Sequence, residues 1–168
     1  MKAPQMIPLL IGLTLLASCN TKTSSIEGVE TFTVAAGHKE GKLEYKQTPP
    51  AGGEHNPTWQ NCGIYQSPIY NEYGVHSMEH GAVWITHQPD LSAEEINTLA
   101  DAMKGNSHVL MSPYPDLKSK VVVSAWGKQL KLDSVSDVRL VEFIRTYAQS
   151  PDAPEPGAPC SGAYSGVQ

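Results

Sequence analysis

The chain has 168 residues, 40% hydrophobic and 17% charged, with 14 glycines and 13 prolines. That length holds one ordinary domain, and the composition excludes a collagen-like repeat, a heptad coiled coil and a polytopic membrane protein. Taking Lys2 from the 12 basic residues leaves 11 against 17 acidic ones, a formal charge of −6. That balance, with no basic run, excludes a nucleic-acid binder.

In chain order, the first segment reads as an address. Lys2 precedes an apolar run from Met6 to Ala17 that is too short to span a bilayer comfortably and ends in Leu16-Ala17-Ser18-Cys19. Small residues before a cysteine match what a lipoprotein signal peptidase cuts. Residues 1–18 therefore read as a lipoprotein signal peptide, Cys19 as the lipidated residue, 19–28 as anchor and polar tether, and 29–168 as a single globular domain. The expected location is extracytoplasmic, on a membrane surface. Asn20 in place of Asp favours the outer membrane in a Gram-negative host.

Val29 to Val34 alternates as a strand does, and Lys42 to Tyr45 offers a second short one. Thr48 to Tyr73 is a long stretch dense in Pro, Gly, Asn and Gln, but Trp59, Tyr65, Ile69 and Tyr70 within it predict a packed, ordered loop. Ala82 to Thr86 reads as a strand. Ser92 with Glu95 forms a capping box, Leu91 and Ile96 a hydrophobic staple, and Ile96, Leu99, Ala100 and Met103 one helical face stopped by Gly105. Ser107 to Ser112, Lys120 to Trp126 and Gln129 to Leu132 read as strands, the last two as a hairpin about Gly127. A final helix begins near Ser134 or Ser136, with Leu140, Val141, Ile144 and Tyr147 inward. The pattern predicts one α+β domain, a mostly antiparallel sheet with two helices and the long ordered loop.

Cys62 and Cys160 remain beside Cys19. Outside the cytoplasm an isolated pair favours a disulfide. Closing a loop of about 100 residues would contribute about 4 kcal/mol in the chain-entropy model and pin the Pro-rich tail to the body. A copper-binding thiolate at Cys62 is the competing reading.

Six histidines are present, and their spacing carries the chemistry. His76-Ser77-Met78-Glu79-His80-Gly81 sets two imidazoles four residues apart. On a helix they share a face and one metal ion. On a strand their Cα atoms would lie about 13 Å apart, too far to share it. A shared metal thus predicts a helical turn ended by Gly81. A third ligand is then required, and His55, in a Gly- and Pro-rich loop, is the first choice. Met78, Met111, His38 and His87 are secondary candidates. Imidazole donors suit copper and zinc alike; the affinity order and possible thioether partners favour copper, with zinc as the alternative. The same letters spell His-x-x-Glu-His, a zinc-peptidase signature in which Glu79 would act as general base, but a strand follows Gly81 almost at once.

Pro49-Pro50, Gly53-Glu54-His55, Trp59, Cys62-Gly63-Ile64-Tyr65 and Val75 to Gly81 together resemble an uncharacterised bacterial family, domain of unknown function 3105. Ser112-Pro113-Tyr114-Pro115, Ala125-Trp126-Gly127 and Pro154-Glu155-Pro156 extend the resemblance over roughly Gly37 to Cys160. Met78 and His87 depart from its pattern. The resemblance implies an exported or membrane-anchored protein and marks His55, His76, Glu79 and His80 as motif residues.

Three functions compete. The first is a lipid-anchored, extracytoplasmic transition-metal-binding protein in envelope metal handling, with the membrane and a metal ion as partners. The second is a zinc-dependent hydrolase. The third is a metal-free envelope binding module using the aromatics of the long loop. Convergence of the three imidazoles is the discriminating observation.

Overall fold

The structure is a computed structural model and describes residues 26–168. The segment expected as a signal peptide, Cys19 with its expected lipid, and the start of the expected tether lie outside the described residues. Among those described, no helix is long and apolar enough to cross a membrane.

The chain folds as one α+β domain around a six-stranded mixed sheet. Five-residue strands supply its body: β5 (Val83–His87), β6 (Val109–Pro113), β7 (Val121–Ala125) and β8 (Lys128–Leu132). Two-residue strands β1 (Glu30–Thr31) and β4 (Gly63–Ile64) form the edges, in the order β1-β8-β7-β5-β6-β4. β5 pairs antiparallel with β7 and parallel with β6, so the sheet changes character at its centre. A separate pair, β2 (Gly37–His38) and β3 (Glu54–His55), runs parallel with His38 opposite His55. Lys42 to Tyr45, expected as a strand, forms none.

Both faces of the sheet are covered, which is why β5, β6 and β7 are buried at every position instead of alternating with solvent. Val83, Ile85, Val109, Met111, Val121 and Val123 face one layer with α2 (Ala93–Met103) and α3 (Val138–Tyr147). Trp84 and Leu110 face the other layer with Val75 and Met78 of α1 (Asn71–Glu79), Ile69 and Trp126. Among the described residues the helices therefore number three; the expected pair is α2 and α3, and α1 grows out of the end of the long loop. α2 begins on the anticipated capping box, with the Ser92 side chain and the Glu95 carboxylate each taking a backbone N–H. In α3 the inward residues are Leu140, Phe143 and Ile144, capped by Asp137. Val141, expected inside, is 55% exposed, because the stripe follows the i, i+3, i+4 spacing set by Leu140.

Cys62 and Cys160 form a disulfide across 98 residues of sequence. Backbone bonds complete the seam: Cys62 N donates to Cys160 O at 2.6 Å and Tyr164 N to Trp59 O at 3.1 Å. The Pro-rich tail thereby lies against the long loop and against the C-terminal end of α1.

Candidate metal centre

The last turn of α1 carries the His76-to-His80 segment. The helix ends at Glu79, His80 is its C-cap, and Gly81 turns the chain away at φ 90. A side chain at Gly81 would also meet Gln149 Cα at 3.0 Å, so both the turn and the packing select glycine here. The helical turn that a shared ion requires is thus present.

Gly52 and Gly53 shape the approach of His55. Both have φ near +124, and a Cβ on Gly52 would lie 2.8 Å from Val34. The loop then runs beside α1, where Asn56 N donates to Glu72 O and Gln60 N to Tyr73 O. This docking brings His55, fully buried, onto the helix.

A single oxygen, Glu79 Oε2, faces three imidazole nitrogens: His55 Nε2 at 2.9 Å, His38 Nε2 at 3.5 Å and His76 Nε2 at 3.9 Å. One donor atom from each of these four residues lies within 4.8 Å of all the others. Beyond the set, His76 Nε2 stands 3.0 Å from His80 Nε2, and His80 Nε2 3.6 Å from Glu155 Oε2. Glu79, His80 and Glu155 form a second set within the same limit. Donors held 2.0–2.2 Å from one ion are separated by about 2.9 Å at right angles and about 4.2 Å across it, and these contacts fall in that range.

The opposite ring nitrogens settle the tautomers. His55 Nδ1 contacts Gly53 O at 2.8 Å, His76 Nδ1 contacts Asn56 O at 2.6 Å and His80 Nδ1 contacts Pro159 O at 2.7 Å. A carbonyl oxygen only accepts, so each Nδ1 carries a hydrogen and each ring turns its Nε2 inward. Two ring nitrogens then face each other between His76 and His80, and one faces a carboxylate at His55, which is repulsive unless positive charge lies between them. A cation or a shared proton between them removes that repulsion. Orientation by a hydrogen bond from the remote ring nitrogen is the usual support of a metal-ligating histidine. Desolvation pushes the His76 imidazole down to about 4, partly opposed by its bond to Asn56 O, so that ring is neutral near pH 7.

Burial is graded across the site. His55, His76, Glu79 and His80 are buried, whereas the His38 side chain is 52% exposed and Glu155 57%. His38 and Glu155 thus form the solvent-facing rims of a buried interior. Trp59 packs beside His76 and His80, with ring centroids 5.8 and 5.0 Å away, and Trp126 meets His55 edge-on at 5.9 Å. Clefts of about 530 and 590 Å³ flank the site, but none of these imidazoles lines either.

The other candidates go elsewhere. Met78 and Met111 are fully buried in the two hydrophobic layers. His87 ends β5, bonds Gln88 O through Nδ1 and lines a separate cleft with Tyr65 and Pro113. Of the aromatics of the long loop, Tyr70, at 40% exposure, is the most open, while Trp84 and Trp126 beyond it are core. His38, a secondary candidate by sequence, belongs to the four-residue set because a two-residue parallel pairing lays it beside His55. No local signal announces such a pairing. Glu155 was legible only as part of Pro154-Glu155-Pro156. Its neighbour Cys160, through the disulfide to Cys62, was the available clue that this tail returns to the site.

The family described as Protein of unknown function (DUF3105) matches the chain over residues 38–162. The chain belongs to that family. Its match begins at His38 and takes in His55, His76, Glu79, His80 and Glu155, so the whole cluster lies inside the shared region. No curated protein and no solved structure matches the chain.

Proposed function

We propose that this protein binds a divalent transition-metal ion through His38, His55, His76 and Glu79, with His80 beside them, and serves metal handling at the cell envelope. Its anchor would be a lipid on Cys19, and its place extracytoplasmic. The observation that carries this reading is one buried carboxylate oxygen faced by three imidazole nitrogens, two of those rings oriented by backbone carbonyls.

The donors are imidazole and carboxylate, without thiolate or thioether, since Cys62 and Cys160 are paired and Met78 and Met111 pack in the core. Such a set suits copper(II), zinc and iron(II), and the divalent affinity order places copper first. Zinc is the competitor. The zinc-hydrolase reading needs Glu79 free to act on a bound water, whereas its carboxylate sits among the nitrogens at ligand separations, which favours binding over turnover.

The test is metal content of the chain after copper and zinc exposure and gel filtration, beside a His55→Ala/His76→Ala variant. Stoichiometric copper in the first and none in the second supports the proposal. Stoichiometric zinc alone redirects it to hydrolysis, checked with Glu79→Gln. No metal in either, with both chains folded by circular dichroism, overturns it.

A further inference from the structure

The donors outnumber one ion. Around Glu79 lie His38, His55 and His76, and His80 belongs instead to the second set, with Glu79 and Glu155. His80 is 4% exposed, its Nδ1–H is spent on Pro159 O, and its inward Nε2 meets His76 Nε2 at 3.0 Å. This Nε2 stands between a second imidazole nitrogen and a carboxylate, Glu155 Oε2 at 3.6 Å, a position that calls for a proton or a cation.

Glu155 is not brought there by a wandering side chain. Its backbone N–H donates to Glu79 O at 3.0 Å, Gly157 N to His80 O at 3.2 Å and Gln149 N to Gly81 O at 2.8 Å. The tail thus satisfies carbonyls that the end of α1 leaves without intrahelical partners. The disulfide at Cys160 ties down its far end one residue after the carbonyl that orients His80. Glu79 is common to both donor sets, and a carboxylate has two oxygens with which to bridge them.

We propose that the centre holds two divalent transition-metal ions bridged by the Glu79 carboxylate. His38, His55 and His76 hold the first; His80 and Glu155, carried by the tail, hold the second. Carboxylate-bridged pairs of this kind set their ions about 3.5–4 Å apart. The inference rests on the metal-binding reading above and adds to it the second ion and its tail-borne ligand.

The experiment uses the full chain, stripped with chelator, loaded with excess copper(II) or zinc, passed through gel filtration and analysed for metal per chain, beside Glu155→Gln. Glu155 is exposed, and circular dichroism checks that the variant folds. Expected are two ions per chain in the wild type and one in the variant. In the copper form, electron paramagnetic resonance should show the two wild-type ions as a coupled, attenuated signal and the variant's single ion at full intensity. One ion per chain in both proteins, with an uncoupled signal, overturns the two-ion centre and leaves the metal-binding proposal standing. Two ions in both overturns the role of Glu155. No ion in the wild type overturns both readings.

Discussion

His38 and His55 face each other across one register position, yet their removal should have unlike consequences. His55 is fully enclosed, packs edge-on against Trp126 and lies 2.9 Å from Glu79. His55→Ala would open a cavity and leave a buried carboxylate without that neighbour, and a cost of about 2–4 kcal/mol in the metal-free chain is expected. His38 is half exposed, so His38→Ala should change metal-free stability by less than about 0.5 kcal/mol while weakening metal binding tenfold or more. Urea denaturation of the metal-free chains and copper or zinc titration of the folded ones separate the two effects. Equal destabilisation by both variants would mean that the site is a structural polar cluster.

Much of the residue-scale chemistry was legible beforehand. The four-residue separation of His76 and His80, with Gly81 after them, is a local pattern that a helix end realises directly. His55 was accessible through the glycines that bend its loop. His38 and Glu155 were not, because each reaches the cluster through partners distant in sequence: a parallel two-residue pairing for one, the tail seam for the other. Glu79 is readable from sequence as a motif residue and as a general base; its place among the nitrogens follows from the inward approach of His55 and His38.

Helix α2 offers the cleanest test of an element built on local rules. Glu95 closes the capping box and also meets Lys120 Nζ at 2.7 Å. The Lys120 ammonium, followed by the bonds from Ser92, lowers the Glu95 carboxyl to about 2 from an ordinary 4.5. A depressed folded-state pKa means that the unfolded chain binds the proton more readily. The contribution of Glu95 is therefore complete above about pH 4.5 and disappears as pH falls towards 2. Chemical denaturation of wild type and Glu95→Gln from pH 7 to pH 2 should show a stability gap at neutral pH that closes through that window. The gap should be modest and shrink with added salt, as befits an exposed pair. A gap that persists unchanged at pH 2 would contradict this account.

The long loop shows where element-scale reading stops. Its aromatic residues signalled packing, but not that β3, β4 and the start of α1 lie inside it. Two-residue strands carry no periodicity, and α1 is nearly covered on all sides, so it lacks the polar face that marks α2 and α3.

At the scale of the whole molecule, the disulfide joins the long loop to the tail and the tail to the end of α1. Replacing both Cys62 and Cys160 with Ser should remove about 4 kcal/mol of chain-entropy stabilisation. For a domain of this size that lowers Tm by roughly 10 °C or more. It should also weaken metal binding beyond the loss of stability, since Pro159 O and Glu155 would no longer be held over His80 and Glu79. Differential scanning calorimetry with and without added metal measures both parts. Saturating ion at 100 times its Kd should raise the stability of the wild type by about 2.7 kcal/mol, and the double variant by less. An equal gain in both would mean that the tail contributes nothing to the centre.

By itself the sequence determined the α+β class, the α2 capping box and the β7–β8 hairpin, favoured the Cys62–Cys160 pairing over a Cys62 thiolate, and tied a helical turn at His76 and His80 to a shared metal. Each of these is written in local spacing, or in a choice so small that only one partner is available. Tertiary structure alone decided that the sheet turns parallel beyond β5, that Met78, Met111 and His87 lie away from the imidazoles, and that His38 and Glu155 close on Glu79 from opposite rims. Those outcomes depend on which surfaces bury against which, and burial and long-range register are properties of the folded chain that no short window of sequence contains.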